Sequence, residues 1–207
     1  MLKERLIYIT ENVTFRDIKQ NNITKSEVYK RQINNWYIKP ARILMDHSKL
    51  MDNYELEIAL LTLLITFFEA HGQYLLGVSS ERDSKRVFKY GFRSFLEYLS
   101  SLKGHKKDYY DRLDLDQFYK QVRCGLVHNG YITTNGTSYF IDRYKTDTLH
   151  VIYPNIWIRD SVLINTFNML EEINSYINYY LDQVLLDNHK KENFEKMFDL
   201  FFNIDTN

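Results

Sequence analysis

The stretch Leu56-Glu57-Ile58-Ala59-Leu60-Leu61-Thr62-Leu63-Leu64-Ile65-Thr66-Phe67-Phe68 decides the fold class. Leu56, Ala59, Leu60, Leu63, Leu64, Phe67 and Phe68 recur at i, i+3, i+4 spacing, which is the period of a helix. Asp52 or Asn53 caps its start, and Gly77 with Ser79-Ser80 closes it. The apolar face is wide, so this helix belongs at the centre of the molecule. The run from Ile58 to Phe68 is bounded by Glu57 and Glu69 and is too short to span a bilayer, so no membrane partner is expected.

Upstream, Thr24-Lys25-Ser26-Glu27 has the spacing of a capping box and starts a helix with Val28, Ile33, Trp36 and Tyr37 on its apolar face. Pro40 ends or kinks that helix, and Ile43, Leu44 and Leu50 continue it in a second piece. Leu6, Ile7, Tyr8 and Ile9 read as a short strand or docking arm. Downstream, a helix over about 81–103 turns Val87, Tyr90, Phe92, Phe95, Leu96 and Leu99 inward, with Gly104 as its stop. A charged loop over 104–114 leads to a helix over about 115–129, with Gly130 just past its end. The pattern then changes. Tyr131 to Ile141 is β-branched and aromatic around Asn135-Gly136, which signals a hairpin, and Leu149 to Tyr153 adds a third strand stopped by Pro154. A last long helix runs from about Asp160 to Leu186, and 189–203 is a short amphipathic helix or a loose tail.

These readings give one mainly α domain over 1–207. It is a bundle of four to five long helices with a core of about 25–187, a small β-hairpin insertion at about 131–153, and a C-terminal tail at 189–207. No repeat, low-complexity segment or linker interrupts it. Composition agrees: Gly 7 and Pro 2 are too few for an all-β domain, and 44% hydrophobic with 26% charged residues is a globular balance. The 27 basic and 27 acidic side chains cancel, so any nucleic-acid contact must be local rather than spread over a basic surface. One Cys excludes an internal disulfide and a Cys-rich zinc site. No signal peptide is evident at the start, and the expected location is the cytoplasm.

The chemistry-bearing segment is Phe118-Tyr119-Lys120-Gln121-Val122-Arg123-Cys124-Gly125-Leu126-Val127-His128-Asn129-Gly130. Its Arg-x4-His spacing late in a helix, within the longer RCGL-x-H string, resembles the HEPN superfamily of helical ribonuclease domains. The similarity is to a bacterial and plasmid-borne subgroup, and the helix order fits from about 25 to 187. The resemblance implies a homodimeric, metal-independent endoribonuclease without cofactors that leaves a 2′,3′-cyclic phosphate, with Arg123 and His128 catalytic. It also implies a toxin or phage-defence role, with an antitoxin protein as partner.

Residue chemistry is compatible with that scheme. Two imidazoles near neutrality serve as base and acid on one phosphodiester, while a guanidinium fork holds its oxygens. On a regular α-helix, however, a five-residue offset puts Arg123 and His128 roughly 140° apart and about 7.5 Å along the axis. A two-fold dimer through this helix resolves the geometry by sharing one cleft. Tyr119, Lys120 and Asn129 are candidate RNA contacts. Cys124 departs from the pattern, because many active members carry Asn, Asp or His there.

Plainer readings stand beside these. Cys124 and His128 share a helix face, but with no orienting acid the pair reads as packing rather than as a nucleophile and its base. His71 reads as a hydrogen-bonded core residue, and His47, His105, His150 and His189 lack metal spacing. Tyr176, Tyr179 and Tyr180 read as packing or dimer surface. The alternatives to the enzyme are a noncatalytic module of the same fold that binds RNA, nucleotide or protein, and a plain helical interaction protein.

Overall fold

The computed structural model describes residues 8–20, 22–102, 110–111, 113–132, 136–152 and 160–203. The chain opens with strands β1 (Tyr8–Thr10) and β2 (Val13–Thr14), paired antiparallel, and a short helix α1 (Phe15–Lys19) whose start is held by the Thr14–Asp17 capping box. Helix α2 (Lys25–Ile33) begins at Thr24, whose hydroxyl accepts from the Glu27 amide. It runs without a break into α3 (Lys39–Met51) through a π turn over Asn34–Ile38. Pro40 therefore neither ends the helix nor leaves it regular. In a regular α-helix its ring would crowd the Trp36 carbonyl and its missing N–H would break a bond; the π turn over Asn34–Ile38 lies just before it.

Helix α4 (Tyr54–Leu76) is the centre. Asn53 caps it, and Leu60, Leu61, Leu64, Ile65, Phe67, Phe68 and His71 are fully buried. It is the one helix among the described residues long and apolar enough to cross a membrane, yet over half of that window is covered by protein. Helix α5 (Ser84–Ser101) lies against it at unusually short range. A methyl group at Gly91 would overlap the Phe68 carbonyl oxygen and stand 3.1 Å from the Gly72 Cα, and one at Gly72 would overlap the Val87 carbonyl. Two facing glycines thus let the backbones touch, which no hydrophobic pattern announces. On α5, Val87, Phe92, Phe95, Leu96 and Leu99 point inward, but Tyr90 does not; it is 48% exposed. Trp36 is likewise turned outward at 50% exposure. Gly104, His105 and most of the charged loop fall outside the described residues, as do Leu6, Ile7, Tyr153 and Pro154.

The motif helix starts as α6 (Leu115–Phe118), capped by Asp114, and continues through two π turns, Tyr119–Arg123 and Gly125–Asn129. It ends at Gly130, whose φ of +75° is the left-handed conformation glycine takes most easily. An aromatic stack fastens it to the core: Phe68 meets Phe92 at 4.7 Å, and Phe92 lies nearly parallel to Phe118 at 4.6 Å.

The described strands of this region form a three-stranded sheet, and residues 133–135 of the expected hairpin lie outside the described residues. Gly136 takes a positive φ of +99°, and Asn135 lies outside the described residues. Strands β3 (Ser138–Ile141) and β4 (Leu149–Ile152) do not pair with each other. Each flanks β5 (Ser161–Ile164), parallel on the β3 side and antiparallel on the β4 side. The segment expected to start the last helix is thus the central strand. Ser161-Val162-Leu163-Ile164 is a short run of β-branched and apolar residues, which period alone does not separate from a helix. Tyr139 packs on Phe118 at 5.5 Å, so the sheet sits against the motif helix.

Helix α7 (Thr166–Leu186) starts at Asn165, whose carboxamide caps the helix and donates to the Arg143 and Lys145 carbonyls. Arg143 in turn reaches Glu57 on α4 at 2.6 Å and Asp52 at 3.2 Å. Glu57 is fully buried; burial raises its pKa, against the pull of Arg143 and the Ser48 hydroxyl. Helix α8 (Asn188–Phe202) is no loose tail. Phe194, Met197 and Phe198 are buried against the bundle, and Phe194 stands 5.5 Å from both Tyr29 and Tyr74.

His71 sits at the heart of this core. Tyr176 donates to Ser94 at 2.7 Å, so it accepts from His71 Nε2 at 3.0 Å, and Tyr29 donates to Nδ1 at 2.6 Å. Desolvation drops the imidazole pKa to about 3. Since the unfolded imidazole protonates near 6.5, stability is full above that pH and is lost as pH falls toward 3, by up to about 4 kcal/mol. Urea titrations between pH 7 and 4 should show this slope, and a His71→Gln variant should flatten it. Gly91→Ala should cost about 2–3 kcal/mol or more in the same assay at pH 7, because the methyl meets backbone that has no rotamer to yield.

Candidate functional site

Arg123 is held against the central helix. Its Nη2 donates to Glu69 Oε2 at 2.6 Å, and both side chains are only 15% exposed. Burial opposes the guanidinium charge, but Glu69 more than offsets it and raises the Arg123 pKa. Nε is buried without a hydrogen-bond partner, so the fork keeps unused donor capacity beside the pair. Tyr119 lies one turn earlier, its ring 5.6 Å from the guanidinium carbon. Its hydroxyl bonds the Ser84 hydroxyl at the start of α5, 2.9 Å away. Burial raises the Tyr119 pKa, with a further push from Cys124. Cys124 is a half-buried free thiol.

His128, Asn129 and Lys120 are exposed. Val127 and Tyr131 are exposed beside His128, so the end of the motif helix presents apolar surface next to an imidazole. Among the described residues no hydrogen bond joins Arg123 to His128. The structure therefore groups Arg123, Tyr119 and Cys124 on the bundle side and leaves His128, Asn129 and Lys120 facing outward.

The winding of the helix changes the expected offset. The Cys124 amide bonds the Tyr119 carbonyl, an i→i−5 link, and a second π turn covers Gly125–Asn129. With roughly 4.4 residues per π turn, five residues overshoot one revolution by about 50°, against about 140° on an α-helix. Ideal π winding thus narrows the angular separation of Arg123 and His128, while Arg123 stays against α4 and His128 is exposed. Gly125 is buried within this turn.

Sequence reasoning misses Glu69, which reads only as the polar boundary of the apolar run. Glu69 lies one residue after Phe68 on a largely buried helix, so its counter-charge is set by the docking of another helix. The Arg143–Glu57 pair escapes sequence reasoning for the same reason. His71 and its tyrosines form a core network apart from the motif helix, and His150 faces Asp147 at 3.5 Å. No group of three or more metal-ligating side chains is present among the described residues. Three grooves of about 580, 450 and 240 Å³ flank the motif helix or α5, and none is lined by Arg123 or His128.

Compared with known proteins, the chain matches no family model, no curated protein and no solved structure.

Removing Glu69 leaves a largely buried guanidinium without its counter-charge. Glu69→Ala should lower unfolding free energy by about 1–3 kcal/mol in urea titrations, and Glu69→Gln should recover part of it through its carbonyl oxygen.

Proposed function

We propose that this chain is a metal-independent endoribonuclease of the HEPN type that works as a homodimer in the cytoplasm. The observation that carries the reading is the π-wound Arg123–His128 segment. It narrows the angular gap between a guanidinium anchored by Glu69 and an exposed imidazole, next to the apolar surface of Val127 and Tyr131. π turns of this kind are frequent at functional sites, because an extra residue in a turn re-aims the side chains that follow.

In the proposed dimer the motif helices pack across a two-fold axis and form one groove with two Arg123 and two His128 side chains. One His128 takes the proton from a ribose 2′-hydroxyl, and the oxygen attacks the adjacent phosphorus. The partner's His128 gives a proton to the departing 5′-oxygen, so the P–O5′ bond breaks and a 2′,3′-cyclic phosphate remains. Arg123 binds the non-bridging oxygens as charge develops on them. Glu69 holds one side of the fork and so fixes its direction. Tyr119 and Cys124 line the guanidinium, while Lys120 and Asn129 meet the flanking nucleotide. A toxin or phage-defence role, restrained by an antitoxin, is the biological form of this reading.

A second reading is a noncatalytic module of the same fold. It is favoured by the closeness of the Arg123–Glu69 pair, which serves equally well to clamp the motif helix, and by Cys124 in place of the more usual polar residue. Activity separates the two. The purified protein should cleave unstructured RNA in EDTA to cyclic-phosphate ends. His128→Ala should lower the rate at least about a hundredfold, with an unchanged melting temperature, since His128 is exposed. Equal cleavage by that variant would remove the enzyme claim.

A further inference from the structure

The net charge of the chain is zero, yet its charges are not evenly spread. Just before α5 and along its first turns, Arg82, Lys85, Arg86, Lys89 and Arg93 bring five cations together, all exposed except the half-buried Lys89. Lys85, Arg86, Lys89 and Arg93, with Asp83, Asp116 and the half-exposed Tyr90, line a groove of about 450 Å³. Two carboxylates answer these cations within it. Asp116, at the start of the motif helix, takes Lys85 and Lys89 together at 2.9 Å each, and Asp83 pairs with Arg86 at 3.0 Å. The two lysines depress the Asp116 pKa to about 2.

We propose that this groove binds the sugar–phosphate backbone of a single-stranded RNA, with Lys85, Lys89 and Arg93 on successive phosphates and Tyr90 stacking on a base. That the strand is RNA rests on the ribonuclease reading above; the groove itself rests on its charge, the spacing of its cations and the placement of the Tyr90 ring. Lys85, Lys89 and Arg93 follow one another at four-residue steps, about 6 Å along the helix, close to the phosphate repeat of an extended strand. Tyr90 is 48% exposed among these cations, whereas Val87 and Phe88, just before it, are fully buried. Base–aromatic stacking beside a cationic track is how strands are held with little sequence preference. The groove also leads to the candidate site. Asp116 lies seven residues before Arg123 on the motif helix, about 10 Å, and Ser84 on α5 bonds Tyr119 beside Arg123. Asp116 acts as an internal stand-in for phosphate, which the strand displaces from both lysines.

The test uses the full chain and a fluorescent 12-nucleotide oligouridylate with 2′-O-methyl riboses, which lacks the attacking hydroxyl. Binding is followed by anisotropy from 50 to 200 mM NaCl. Lys85→Glu with Lys89→Glu should weaken binding at least about tenfold and flatten the salt dependence. Tyr90→Ala should weaken it about fivefold or more, and Asp116→Asn should tighten it. Poly-L-glutamate, an acidic polymer without bases, should bind more weakly and be indifferent to Tyr90→Ala. Unchanged oligonucleotide affinity in the double charge reversal, with an unchanged melting curve, overturns the groove. So does equal binding of poly-L-glutamate. His128→Ala keeps the two claims apart: it should retain binding while losing cleavage of ordinary RNA. A groove that binds in a protein that never cleaves would sink the ribonuclease reading alone. His128-dependent cleavage with binding indifferent to the charge reversals would sink the groove alone.

Discussion

Helices α4 and α5 touch backbone to backbone at Gly72 and Gly91, and the arrangement of the other elements follows from how closely they meet. With side chains excluded from the contact, Phe68 meets Phe88 and Phe92 edge-on, while Phe88 and Phe92 stack on each other and present an aromatic surface. Phe118 of the motif helix stacks on that surface and Tyr139 of the sheet packs against Phe118 in turn. A wider separation between α4 and α5 would open the stack, and the motif helix would lose the surface that sets its height and rotation.

That placement couples packing to electrostatics. Once Phe118 is fixed, Arg123 is carried onto the flank of α4 where Glu69 waits, and Tyr119 comes within reach of Ser84 on α5. The motif helix takes up extra residues in two π turns, whose wider winding changes the rotation of His128 relative to Arg123. A π turn also appears before Pro40, where α2 runs into α3 without a break. In one case the extra residue precedes a proline; in the other it changes the angular relation between two polar side chains.

Charge is divided between interior and surface in a consistent way. Inside, Glu57 is answered by Arg143 and Glu69 by Arg123, while His71, kept neutral by its burial, is bonded by two tyrosines. The Arg143–Glu57 pair joins the β3–β4 connection to the first turns of α4, so the sheet is tied to the bundle by one buried ion pair as well as by Tyr139. Outside, basic residues gather on α5, and Asp116 reaches them from the motif helix.

Local rules were enough to read the mainly helical class, the central position of α4, the caps at Thr24 and Gly130, a cap at Asp52 or Asn53, and the core role of His71. Those rules are period, turn chemistry, and the desolvation of a lone histidine on an apolar face. The order of residues also singled out Arg123, Cys124 and His128 as a motif. Long-range packing, by contrast, settles that residues 161–164 form the middle strand of a three-stranded sheet and that 188–202 is a packed helix. It also turns Tyr90 and Trp36 outward and makes Glu69 the partner of Arg123. Each of these depends on which distant segment supplies the hydrogen bonds, the apolar cover or the counter-charge. A short β-branched run is equally acceptable to a helix or a strand until a neighbour offers edges to pair with. A carboxylate on a buried helix has no fixed partner until another helix docks. The π winding belongs to the same class, because it answers to the height at which Phe118 and Arg123 must land, and that height is set by the two glycines of a different helix pair.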